Sequence, residues 1–150
     1  MILKAQDAPN KIVESTICFH GDYLESRVYY DELGARIVKE NPDNIFGLLR
    51  VLNFINERVF LSCGDPYGLY HPHLLFTPRI YLEEDSGTVA IVTTINYDFY
   101  EIAPVEAVDY VTAYCPELLN MLVAPVLFTA AGKLTADKAI EFIEERILTD

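Results

Sequence analysis

The sequence predicts an α+β domain, an antiparallel sheet packed by helices, and three observations carry that expectation. β-branched and aromatic segments separated by turn residues come first along the chain. A stretch with apolar residues at three- and four-residue spacing follows, then a clear hairpin, and the remaining third of the chain returns to helical spacing. At 17.0 kDa, area scaling buries roughly 69% of the unfolded surface, so one ordinary core and one domain over residues 1–150 suffice.

Residues 1–11 are mixed polar with Pro9 and show no period, so the expectation is a loose N-terminal arm. Ser15-Thr16-Ile17-Cys18-Phe19-His20 is β-branched and aromatic and ends at Gly21-Asp22, which predicts a first strand. Arg27-Val28-Tyr29-Tyr30 and Ala35-Arg36-Ile37-Val38-Lys39 flank Asp31-Glu32-Leu33-Gly34, the pattern of a hairpin with Gly available for a left-handed position. Asn41-Pro42-Asp43-Asn44 opens a helix, with Asn as cap, Pro in the first turn and Asp43 at the positive end of the dipole. That helix runs to about Arg58 with Ile45, Leu48, Leu49, Leu52, Ile55 and Val59 as its apolar stripe.

From Leu61 to Thr77 the chain is rich in breakers and aromatics and reads as a long loop. Pro78–Glu83 and Gly87–Asn96 form the clearest hairpin, turning at Glu84-Asp85-Ser86-Gly87, and Thr88–Ile95 is apolar or small on both faces, as a central strand would be. After Pro104, Val105, Val108, Val111 and Cys115 share a helical face, Pro116 interrupts, and Leu118, Leu119, Leu122, Val123, Val126 and Leu127 continue the stripe until Pro125 and Gly132 bend or end it. An additional C-terminal helix is expected within 133–150, capped by Thr135, with Ala139, Ile140, Ile143 and Ile147 inward.

The helix Leu48-Leu49-Arg50-Val51-Leu52-Asn53-Phe54-Ile55-Asn56, ending in an Asn-x-x-Asn pair, the Arg79–Asn96 hairpin with its Glu-Asp-Ser-Gly turn, and the helix opened by Pro104 resemble the YbjN-type proteins, a group of bacterial sensory transduction regulators. They share a fold with type III secretion chaperones. The resemblance covers about residues 27–130 and brings no catalytic motif. It implies a chaperone-like β-β-β-α-β-β-α-α order, dimerisation and protein binding rather than a reaction.

The formal charge is −12, with 23 acidic against 11 basic residues, while 51% of the chain is hydrophobic. So apolar a chain is not disordered. Nucleic acid and anionic membrane surfaces are bound through clustered Lys and Arg, so neither is an expected partner. A basic or amphipathic protein or peptide segment is compatible, although most of the acidity serves solubility. Cys18, Cys63 and Cys115 are odd in number and widely spaced, which argues against a disulfide framework. The N-terminal residues lack a signal-like apolar run, and the longest such run, Met121–Ala131, contains Pro125 and is too short to span a bilayer, so cytoplasmic residence is expected.

Candidate sites are few. Asn53 and Asn56 share a helix face and serve a ligand or, more commonly for amides, a neighbouring backbone. Cys63, Asp65, His71 and His73 are the local set with metal-ligand chemistry, but the spacing is poor for zinc and no cofactor is expected. A Cys63 nucleophile served by His71 or His73 lacks a visible third group. Tyr67, Tyr70, His71, His73 and Phe76 are candidates for partner contact, weighed against packing within the chain. Glu83-Glu84-Asp85 reads as a solvated turn. Phosphate loops, nucleophile elbows and dinucleotide fingerprints are missing from the sequence. A non-enzymatic protein- or peptide-binding module, chaperone-like or regulatory and dimeric, is the leading expectation. An immunity or antitoxin protein comes second, and a metal-dependent enzyme using residues 63–73 third.

Overall fold

The structure is a computed structural model that describes residues 1–60, 76 and 78–148. Its strands are β1 (Ile2–Lys4), β2 (Ile12–Phe19), β3 (Tyr23–Tyr30), β4 (Arg79–Glu83) and β5 (Thr88–Asn96). They make one antiparallel sheet in the order β1-β2-β3-β5-β4, the α+β class expected. β5 pairs on both sides, with β3 from Tyr23↔Asn96 to Tyr29↔Ala90 and with β4 from Arg79↔Val92 to Glu83↔Thr88. That is the central position its two apolar faces predict. The hairpin turn needs Gly87, at φ +75°, where an added Cβ would lie 2.8 Å from the Ala35 carbonyl oxygen.

The N-terminal segment is not a loose arm. β1 pairs with β2 through Ile2↔Glu14, Leu3↔Val13 and Lys4↔Ile12. Distant ties hold the rest: the Asp7 backbone N–H donates to Asn120 Oδ1 at 2.8 Å, Asn120 Nδ2 donates back to Asp7 Oδ2 at 3.0 Å, and Asn10 donates to Asp31.

The expected hairpin over 27–39 is also corrected. β3 pairs with β2 and β5, and the segment after it is helix α1 (Glu32–Lys39). Asp31 caps that helix: its Oδ1 accepts from the N–H groups of Leu33 at 3.1 Å and Gly34 at 3.2 Å. Gly34 and Val38, one turn apart, are the buried pair of α1. A Cβ at Gly34 would lie 2.5 Å from Tyr30 Cβ, so glycine is there for close packing rather than for a turn.

Helix α2 (Ile45–Phe54) buries Leu48, Val51 and Leu52, and Ile55 is buried in the wide turn Ile55–Val59 that prolongs it. Asn41 does not cap it; its amide donates instead to the Ile37 carbonyl at the end of α1, at 2.8 Å. A helix missed in the sequence, α3 (Tyr97–Ile102), follows β5 at once, capped by Asn96 Oδ1 on the Asp98 N–H.

Helix α4 (Pro104–Asp109) passes through a wide turn, Tyr110–Tyr114, into α5 (Cys115–Met121). Wide turns sit beside or over both prolines here, the second being Ala124–Phe128 around Pro125, and they accommodate residues that cannot donate to the helical ladder. The inward stripe is Ala107, Tyr110, Val111 and Cys115; Val105 and Val108, expected inward, are exposed. Helix α6 (Ala136–Arg146) starts at Thr135, whose hydroxyl accepts from the Lys138 N–H at 3.3 Å, and buries Ala139 and Ile143 as expected. The core lies between these helices and one face of the sheet, with Val13, Val28, Tyr30, Ile80, Ile91 and Ile95 pointing into it.

Candidate functional site

Strict alternation sorts the sheet into two faces. In β3, Leu24, Ser26, Val28 and Tyr30 are buried on the helix side, while Tyr23, Glu25, Arg27 and Tyr29 point the other way and are half-buried. Register brings Thr16 and Cys18 of β2, Tyr81 and Glu83 of β4 and Ala90 of β5 onto that second face. Among the described residues the helices pack on the first face only. The second carries an open trough of about 540 Å³ lined by Thr16, Cys18, His20, Glu25, Arg27, Tyr29, Glu83, Ser86, Thr88 and Ala90.

Arg27 organises the trough. Its Nε donates to Glu25 Oε1 at 2.7 Å and its Nη1 to Glu83 Oε1 at 2.6 Å. The Glu25 bond, ahead of an opposing effect of burial, raises the guanidinium pKa further, so this cation is permanent. Tyr81 donates to Glu83 Oε1 at 3.4 Å, and burial raises its phenol pKa. Thr16 Oγ1 and the Tyr29 hydroxyl lie 3.2 Å apart, and the His20 ring stacks on Tyr23 at 4.4 Å. Two carboxylates thus meet one cation in a groove whose lining also holds Tyr29, and Arg79 stands on the same face across Val92 from Arg27.

The two edges of the sheet are finished differently. At β4, Asn56 holds the edge like a short strand: Nδ2 donates to the Ile80 carbonyl at 2.8 Å and Oδ1 accepts from the Ile80 N–H at 2.9 Å. The amide therefore satisfies a neighbouring strand, while Asn53 is exposed to solvent. At the other edge β1 covers only the start of β2. Ser15 exchanges two backbone bonds with Met1, at 2.8 and 2.7 Å, and the His20 N–H bonds inward to the Tyr23 carbonyl at 2.9 Å. By alternation the backbone groups of Ile17 and Phe19 point outward, and no described residue pairs with them. Their side chains, on the helix side, are 39% and 74% exposed.

Phe76, among the aromatics considered for partner contact, packs inside at 3% exposure, edge-on to Phe99 with centroids 5.0 Å apart and tilted on Tyr110 at 4.4 Å. Cys63, Asp65, Tyr67, Tyr70, His71 and His73 lie outside the described residues. Cys115 is buried beside Tyr110, and burial pushes its thiol up to about 12, so it stays protonated and unreactive. Among the described residues no group of three or more His, Cys, Asp or Glu side chains is placed to hold a metal, and no helix is long and apolar enough to cross a membrane.

Sequence reading missed the trough and the bare edge. The signal for the trough was present in Tyr23-Leu24-Glu25-Ser26-Arg27-Val28-Tyr29, which alternates over its whole length. No family model, curated protein or solved structure matches the chain.

Proposed function

We propose that the protein is a non-enzymatic binding module of the cytoplasm, chaperone-like or regulatory, that takes an extended protein or peptide segment of basic or amphipathic character. The segment lies along the face of the sheet that no described helix covers. The observation that carries this reading is the trough: a rigid strand surface offers the Tyr29 ring to apolar and cationic side chains and places the carboxylates of Glu25 and Glu83, the latter also accepting from the Ser86 hydroxyl, where lysine or arginine can reach them. A chain of net charge −12 attracts such a segment over distance and selects against acidic ones. Arg27, Glu25, Glu83 and Tyr81 are engaged with one another, an arrangement for holding rather than for moving protons. Chaperone-type binding is also what the resemblance to the YbjN-type group implies.

An arrayed set of extended peptides read by fluorescence anisotropy tests this. Lysine- and arginine-bearing peptides with aromatic residues are expected to bind, more weakly as salt rises, with a two- to fivefold loss in Glu25→Gln or Glu83→Gln, the range of partly exposed charge pairs at about 0.5–1 kcal/mol. Equal binding of acidic peptides, or indifference to both substitutions, overturns the reading.

A further inference from the structure

We infer that the bare edge of β2 pairs with the same edge of a second copy of this chain, about a two-fold axis through Cys18, to make one sheet across two molecules. The pairing goes beyond the reading above and holds whether or not a peptide occupies the trough.

Among the described residues the edge is open over a short notch. Ser15 is already bonded to Met1, and the strand ends at Phe19 before the Gly21-Asp22 turn, so only Ile17 and Phe19 present outward backbone groups. An unguarded edge is a template for another strand, and proteins normally blunt such edges with lysine, proline, a bulge or a cover. At β4, Asn56 takes up the outward groups of Ile80, whereas at β2 no described residue takes up those of Ile17 and Phe19. From Ser15 to Gly21 no charged residue occurs, in a chain of which 23% is charged. That neutral stretch is where two molecules of charge −12 can approach, since a partner edge rich in lysine has nothing to pair with there.

Register selects the arrangement. Side chains stay on matching faces only when paired numbers sum to an even value. A two-fold at Ile17 would set Phe19 against Ser15, whose groups are taken by Met1. A two-fold at Cys18 sets Ile17 against the partner's Phe19 and Phe19 against the partner's Ile17, which satisfies all four outward N–H and C=O groups of each copy's notch and packs two exposed apolar pairs. On the other face Thr16 meets the partner's His20; both residues line the trough, so the two troughs join. Cys18 then faces the partner's Cys18 as a non-hydrogen-bonded pair, with Cα atoms about 4.5 Å apart, inside the span a disulfide bridges.

Sedimentation equilibrium and thiol cross-linking by diamide, which takes up the two electrons and two protons released by two thiols, test the pairing. A reversible dimer with a dissociation constant of about 10–100 µM, as befits a small interface, is expected. Diamide should yield a covalent dimer that persists in Cys63→Ser and disappears in Cys18→Ser. Phe19→Glu, at a solvent-exposed position, should shift the protein to monomer by at least tenfold with unchanged circular dichroism, and Ile17→Lys should do the same independently. A monomer at all concentrations overturns the inference, as does a dimer indifferent to both substitutions or a cross-link that survives Cys18→Ser.

Discussion

Replacing Asn56 by alanine removes the pair of bonds that takes up the outward backbone groups of Ile80 on β4. Both are well formed, at 2.8 and 2.9 Å to the two backbone groups of one residue, Ile80, whose side chain is 1% exposed in the core. Each such bond contributes about 1 kcal/mol net, and leaving the partly buried Ile80 N–H without a partner adds a desolvation cost, so a loss of about 2–3 kcal/mol is expected. The better helix propensity of alanine recovers at most about 0.5 kcal/mol. For a chain of this length the loss corresponds to a fall in Tm of roughly 4–12 °C. Asn53→Ala, one turn earlier on the exposed surface, is the control and should stay within about 0.5 kcal/mol. Asn56→Asp should be worse than alanine at neutral pH, because a carboxylate oxygen then faces the Ile80 carbonyl. Urea unfolding followed by far-UV circular dichroism measures all three. Equal midpoints for Asn56→Ala and Asn53→Ala would refute the idea that this amide acts as the missing strand.

Asp31→Ala should destabilise the protein by about 1–2 kcal/mol, through loss of the α1 cap on Leu33 and Gly34 together with the tie from Asn10, and amide exchange at Leu33 and Gly34 should quicken. Alkaline pH should destabilise the fold well before the backbone is affected. Burial pushes the Tyr114 hydroxyl and the Cys115 thiol up to about 12, so both stay protonated in the folded chain while the unfolded chain loses those protons above about pH 9 for Cys and 10 for Tyr. Stability from these groups is therefore whole below about pH 9 and is lost as pH rises toward 12, with a slope of at most about 1.4 kcal/mol per pH unit for each. Urea midpoints measured across that range should fall, and Cys115→Ala should flatten the part between about pH 9 and 10, where the unfolded thiol titrates first.

How much of this was legible in the sequence depended on length and locality. The β4–β5 hairpin and α6 could be read because each carries a full period and its own stop signals, Glu84-Asp85-Ser86-Gly87 in one case and Thr135 in the other. Ala35–Lys39 could not, since five residues do not separate a period of 2 from one of 3.6: Ala35 and Ile37 suggest alternation, whereas Gly34 and Val38 form the buried face. β1 had no local signal at all. It is three residues long, and the segment after it is held by partners as distant as Asn120. Asn56 could be placed on a helix face from its spacing, but its target, Ile80, lies beyond a stretch that sequence alone does not fold back. The trough and the bare edge exist only once register is known, because a one-residue slip would exchange Glu25, Arg27 and Tyr29 for Leu24, Ser26 and Val28.

Amide hydrogen exchange along β2, measured below and above the concentration at which the protein associates, tests the surface most directly. Thr16 and Cys18 bond inward to β3 and should be protected at every concentration. Ile17 and Phe19 point outward and should exchange fast in dilute solution, then become protected as concentration rises and a second β2 takes the edge. Exchange at Ile17 and Phe19 that stays fast at all concentrations would contradict the pairing and leave the edge of this sheet bare.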